Sequence, residues 1–170
     1  MRFLCTIAFA VLLVPLASAQ NAAPPPAPCS ASEHRQFDFW LGDWDVSNAA
    51  GKQVGRNTIT SQHKGCVILE NWTGNGGVTG SSLNVYDAER KKWHQTWVDS
   101  SGGLLELEGS FADGRMVLVT VPGPRAAVEP VNRITWQLLP DGRVRQLWES
   151  SKDGGATWKT AFDGYYAKRS

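Results

Sequence analysis

From Gly42 onwards, apolar and polar residues alternate with a period of two, the spacing of a strand with one covered face. Leu105, Leu107 and Phe111 share one side of a segment whose other side carries Glu106 and Glu108. Ile134, Trp136 and Leu138 oppose Arg133, Thr135 and Gln137 in the same way. Turn signals interrupt the alternation at 48–52, 63–65, 74–77, 87–91, 100–103, 113–114, 122–130, 141–142 and 153–156. Asp113-Gly114, Asp141-Gly142 and Asp153-Gly154 supply the dipeptide that best favours a tight hairpin. Nine turns separate ten strands. Short connections make consecutive strands antiparallel, and ten twisted strands in one sheet curl until their edges meet. The pattern predicts an all-β fold, an up-and-down antiparallel β-barrel of about ten strands, with a two-sheet sandwich as the alternative.

Only the segment before Gly42 has a helical period. Ser30 and Glu33 have capping-box spacing, Phe37 and Trp40 fall on one face, and Gly42 stands where a helix would stop. A short helix over 31–41 is expected.

The chain start reads as an address. Met1 and Arg2 precede an apolar run from Phe3 to Leu16 that ends in Ala17-Ser18-Ala19, a small-residue cleavage pattern. Residues 1–19 are therefore expected to be a secretory signal, with Gln20 as the mature N-terminus. The run is shorter than the ~20 residues a membrane span needs, so no span is expected after processing. Residues 20–28 are dominated by Ala and Pro and read as an extended linker, leaving 29–170 as a single barrel domain.

Export changes the reading of the cysteines. Cys5 leaves with the signal, and the remaining pair, Cys29 and Cys66, favours a disulfide in an oxidising compartment, periplasmic or extracellular, over two buried thiols. Charge adds an exclusion: with 17 basic and 16 acidic residues, loss of Arg2 balances the two. A balanced chain whose longest basic run is Arg90-Lys91-Lys92 suggests no nucleic-acid or acidic membrane partner. Oligomeric state is not legible.

Two motifs carry resemblances. Gly42-Asp43-Trp44, following a short helix and opening the first strand, resembles the G-x-W signature of lipocalins and other calycins. The resemblance implies a structural role: the Trp44 indole plugs the closed end of a barrel, covered by a basic side chain of the last strand, Lys168 or Arg169. The wider run Phe37-Asp38-Phe39-Trp40-Leu41-Gly42-Asp43-Trp44 resembles the F-D-F-W-x-G-x-W pattern of an uncharacterised family of exported bacterial proteins. The likeness continues through Gly65-Cys66, Glu70-Asn71-Trp72, the stretch from Trp93 to Asp99 and the stretch from Arg145 to Glu149. It implies fold and compartment and names no activity.

Ser151-Lys152-Asp153-Gly154-Gly155-Ala156-Thr157-Trp158 matches the Asp-box of sialidase propellers. One box cannot build a propeller. Its expected role is a hairpin device, in which Ser151 and Asp153 satisfy turn N–H groups and Trp158 packs beneath them.

Candidate chemistry centres on the tryptophans, eight in 170 residues, more than core packing needs. Parity sets Glu70 beside Trp72, Gln95 between Trp93 and Trp97, and Gln146 beside Trp148, each set on one face of its strand. If that face is the lumen, Glu70, Trp72, Gln95, Trp97, Gln146 and Trp148 form a polar aromatic pocket for a flat or ring-shaped small molecule. If it faces outwards, the same residues make a surface stripe.

The leading reading is thus an exported small-molecule-binding barrel whose ligand the sequence does not name. One alternative is an enzyme on the same scaffold that uses Glu70 or Glu149 as general acid or base. Asp99 is a further carboxylate at an aromatic strand end, where desolvation would raise its pKa. A haem-binding barrel resembling nitrobindin, with His94 on the iron, is another alternative. His34, His63 and His94 lack metal-ligand spacing, no G-x-S-x-G elbow occurs, and no metal or cofactor is expected.

Overall fold

The computed structural model describes residues 26–123 and 129–169. The expected signal at 1–19 and the first part of the linker lie outside the described residues, as does the middle of the turn expected at 122–130. The helical segment is two consecutive 3-10 turns, Ser32–Arg35 and Asp38–Trp40. Ser30 and Glu33 form no capping box, because the cap position is Ala31, which makes no side-chain hydrogen bond.

Ten strands follow: β1 (Gly42–Asn48), β2 (Gln53–Gln62), β3 (Val67–Gly74), β4 (Thr79–Asp87), β5 (Lys92–Asp99), β6 (Leu104–Ala112), β7 (Arg115–Thr120), β8 (Val131–Leu138), β9 (Val144–Ser151) and β10 (Lys159–Lys168). Each pairs antiparallel with its neighbours in sequence, and β1 also pairs with β10. The barrel is closed. No strand edge is left to recruit another chain. The alternative of a sandwich is excluded by the β1–β10 register, which runs from Trp44 opposite Lys168 to Asn48 opposite Gly164.

Closure divides the interior into two zones. One end is dry and aromatic. Phe37 stacks on Trp40 at 4.9 Å between ring centroids and meets Trp93 and Trp136 edge-on at 5.6 and 5.2 Å. The two 3-10 turns therefore act as a plug, which buries Phe37 and Trp40 completely over Met116, Leu118 and Trp136. Trp44 lies within this plug, fully buried, its indole N–H donating to the Trp40 carbonyl at 2.9 Å. Of the two basic residues expected over it, Lys168 is the one in place, with Nζ 5.5 Å from the ring centroid. Arg169 turns instead towards Asp45. Gly42 opens β1 at φ 140°, a backbone angle that side chains disfavour.

Cys29 and Cys66 are bonded, their Cα atoms 5.1 Å apart. The bridge fastens the approach to the plug onto the start of β3. The Arg35 guanidinium donates to the Gly65 carbonyl beside it.

Candidate functional site

The other end of the interior holds a cavity of about 230 Å³. It is lined by Glu70, Trp72, Gln95, Trp97, Gln146 and Trp148 together with Leu105, Ile134, Ala161, Phe162 and Tyr166. The sequence-derived set thus converges on one space from three strands, β3, β5 and β9. Strand alternation brings this about. Glu70 faces Ser82 across β3 and β4, Ser82 faces Trp97 across β4 and β5, and Trp136 faces Gln146 across β8 and β9.

Burial sorts the lining into a floor and a wall. Glu70, Gln95, Gln146, Tyr166 and Ile134 are buried, whereas Trp72, Trp97, Trp148, Leu105 and Phe162 are half-buried and Ala161 is exposed. The floor is polar and the wall is aromatic.

Each wall ring is held from behind. Trp72 lies against Gly55 and Trp97 against Gly80, so closely that a Cβ on either glycine would come within 2.5 and 2.3 Å of the ring. Phe162 covers Gly164 in the same manner and meets Trp72 edge-on at 6.0 Å. The Trp97 indole N–H donates to Asp99 at 3.2 Å, and that of Trp148 donates to Asn132 at 2.9 Å. Fixed rings cost a ligand less ordering entropy than mobile ones.

The floor carries two hydrogen-bonded groups. Glu70 accepts from Asn57 Nδ2 at 2.7 Å and from Ser82 Oγ at 2.6 Å. Asn84 donates to Ser82 at 2.9 Å and to the Ile68 carbonyl at 3.1 Å, while Gln95 Nε2 donates to Asn84 Oδ1 at 2.7 Å. Opposite, the Tyr166 hydroxyl donates to Gln146 Oε1. Burial pushes the Glu70 carboxyl above the usual carboxylate range, and the Ser82 and Asn57 donors offset this only in part. Burial also pushes the Tyr166 hydroxyl well up, reinforced by Glu70 nearby, so it remains a neutral donor.

Sequence reasoning missed Asn57, Ser82, Asn84, Phe162 and Tyr166. For the first three the signal was present: polar residues at inward parity on β2 and β4. Phe162 follows a register shift between Thr160 and Phe162 that breaks the alternation of β10, whereas Tyr166 keeps period two with Phe162 and Gly164, a signal that was present.

Three expectations are corrected. Glu149 is on the outer wall, where Arg133 donates to it at 2.8 and 3.0 Å, so it cannot serve the lumen as acid or base. Asp99 is not a desolvated acid: donors from Ser101, Gly103 and Trp97 lower its pKa to about 2. Its role is to anchor the Trp97 ring. His94, offered as a haem ligand, also faces outwards, its Nε2 2.8 Å from Thr96 Oγ1 and its Nδ1 3.7 Å from Glu108. No histidine lines the cavity among the described residues. Nor do three or more metal-ligating side chains cluster anywhere among them.

The Asp-box stays apart from the cavity. Asp153 Oδ1 accepts from the Thr157 amide at 2.8 Å and from Ser151 Oγ at 2.7 Å, and Ser151 Oγ accepts from the Gly155 amide at 2.8 Å. The Thr157 hydroxyl, the Thr157 amide and the Ser151 hydroxyl hold the Asp153 carboxyl at about 2. Trp158 packs against Gly155 and carries the Arg133 guanidinium 4.1 Å above its ring. It is a hairpin clamp.

No protein-family model matches the chain, and no curated protein matches it. The closed antiparallel barrel with its plug is consistent with a calycin-like architecture.

Proposed function

We propose that the protein binds a small ring-bearing molecule in the barrel, stacked among Trp72, Trp97 and Trp148 and oriented by Glu70, Gln95 and Gln146. The observation that carries this reading is the cavity itself, a space of about 230 Å³ with fixed aromatic walls over a polar floor. Most pockets for drug-sized ligands measure roughly 300–1,000 Å³, so the volume suits a molecule of one or two rings. We also propose export, with cleavage after Ala19. The Cys29–Cys66 bond agrees with an oxidising compartment, and no helix among the described residues is long and apolar enough to cross a membrane. The F-D-F-W-x-G-x-W likeness supports the same compartment.

Native mass spectrometry of protein purified from its own host tests both proposals. Wild-type chains should begin at Gln20 and carry an added small-molecule mass. Trp97→Ala should lose it, through a stacking loss of about 0.5–1.5 kcal/mol beyond the buried area, while Glu149→Gln on the outer wall should retain it. Chains that still carry residues 1–19 would overturn export. Bare mature chains in every preparation would count against the binding reading.

Glu70 favours a second reading, an enzyme. Among the described residues it and Tyr166 are the only titratable groups lining the cavity, and a carboxyl raised by burial is placed to act as a general acid or base. Turnover of the co-purified molecule, abolished by Glu70→Gln, would select this reading. Unchanged recovery of the molecule after prolonged incubation would select simple binding.

A further inference from the structure

The polar floor is not balanced between donors and acceptors. A carboxylate offers about four acceptor positions. Glu70 uses two of them, on Asn57 and Ser82, and both donors are neutral. Among the described residues no lysine, arginine or histidine pairs with it, whereas Glu149 and Asp163 on the outer wall each hold an arginine at 2.8 Å. Beside Glu70, the Asn57 Oδ1 atom is buried with no donor at all. Gln95 donates through Nε2 to Asn84 and Ser82, which leaves its amide oxygen as a further acceptor. The walls add three indoles and one phenyl ring, whose π-systems attract positive charge.

An enclosed carboxyl group without a basic partner, surplus acceptors and a cage of aromatic rings all favour one kind of guest. We infer that the cavity takes a small organic cation, an amine or amidine on a ring, with its N–H donors on Glu70 and its ring among Trp72, Trp97, Trp148 and Phe162. This rests on the binding reading above and adds the charge to it. An anion would meet Glu70 and the ring faces with the wrong sign. A neutral ring would stack but form no ion pair with Glu70. A cation gains from both the ion pair and the indoles. Gln146, whose oxygen is taken by Tyr166, keeps its amide N–H groups for an acceptor elsewhere on the guest.

The inference has a proton balance. In the empty barrel burial favours the protonated Glu70 carboxyl. The groups that face it are Tyr166 from β10, held as a hydroxyl, and the uncharged Asn57 from β2 and Ser82 from β4. Where the carboxyl is protonated, binding a cation breaks the Glu70 O–H bond, sends the proton to solvent and leaves the carboxylate paired with the guest. Affinity for a permanent cation should therefore rise about tenfold per pH unit up to the Glu70 pKa and level off above it.

Matched pairs of probes test this by calorimetry on the disulfide-intact barrel: benzamidine against benzamide, phenethylamine against phenethyl alcohol, tryptamine against tryptophol. The cation of at least one pair should bind ten or more times tighter than its neutral partner. Glu70→Gln, which keeps an oxygen for Asn57 and turns an amide N–H towards the Ser82 hydroxyl as acceptor, should erase that gap by weakening the cation alone. Wild-type titrations in two buffers of different ionisation enthalpy should register proton release that grows as the pH is lowered, a readout that needs no variant. Equal binding within every pair, or preference for the neutral member, would overturn the cation and leave the pocket standing. No binding of any probe, charged or neutral, would overturn both.

Discussion

Trp44→Ala is expected to lower the unfolding free energy by about 3–5 kcal/mol, the usual cost of emptying a buried tryptophan site. Against a total of roughly 5–15 kcal/mol for a domain, that is a large share of the stability. Trp44 is fully buried, its N–H holds the Trp40 carbonyl, and its ring meets Tyr166 edge-on at 6.3 Å. Removal should leave a void in the plug and an unpaired carbonyl. Lys168, 5.5 Å above the ring, adds only a minor cation–π contribution of about 0.5–1 kcal/mol. Trp44→Phe should fall between, since it keeps most of the packing and loses the hydrogen bond. Urea unfolding with an unchanged denaturant slope would measure all of these. Because Trp44 does not line the cavity, chains that remain folded should keep their affinity, the reverse of Trp97→Ala. A Trp44→Ala loss below about 1 kcal/mol would mean that the plug does not hold the barrel shut.

The barrel was legible because its signals are local. Alternation along β6 and β8 marks strands whichever way they face, and Asp-Gly or Gly-rich turns mark where each one ends. The closed topology followed from short connections and strand number. The helical plug was less legible. Its spacing of Phe37 and Trp40 suits an α-helix, but the segment is short and its side chains are drawn into the barrel end, so two 3-10 turns satisfy it.

The site was legible in its parity and not in its sign. Period-two spacing groups Glu70 with Trp72 and Gln146 with Trp148, but it says nothing about which face is the lumen. Tertiary closure decides: Phe37 and Trp40 enter on the side that Trp93 and Trp136 already face, and every residue of that parity goes inwards with them. The same rule sends His94 and Glu149 outwards, one position from Gln95 and Trp148. Both are incompatible with a pocket that takes Gln95 and Trp148, because neighbours in a strand point to opposite faces. The wall glycines, Gly55, Gly80 and Gly164, read in the sequence only as weak strand formers. Their use emerges when a ring from the adjacent strand, or one two residues away, lies across the bare backbone.

Removing the disulfide by Cys66→Ser, with Cys29→Ser in the same chain to avoid a lone thiol, should cost about 2–5 kcal/mol. The cysteines are 37 positions apart, and the chain-entropy argument alone gives roughly 4 kcal/mol for a loop of that length. That argument acts on the unfolded chain. The structure adds a local consequence, because the closed loop contains both 3-10 turns and the strands β1 and β2. Without the bridge, the first 3-10 turn keeps its tie to the turn before β3 through Arg35 on the Gly65 carbonyl, while residues 29–31 ahead of it lose theirs. Hydrogen exchange should therefore accelerate first at residues 29–41, with the β4 to β9 ladder protected until global unfolding. Uniform loss of protection across all ten strands would assign the whole effect to the unfolded state. Unchanged stability would mean that plug packing, led by Phe37, Trp40 and Trp44, closes this end without help.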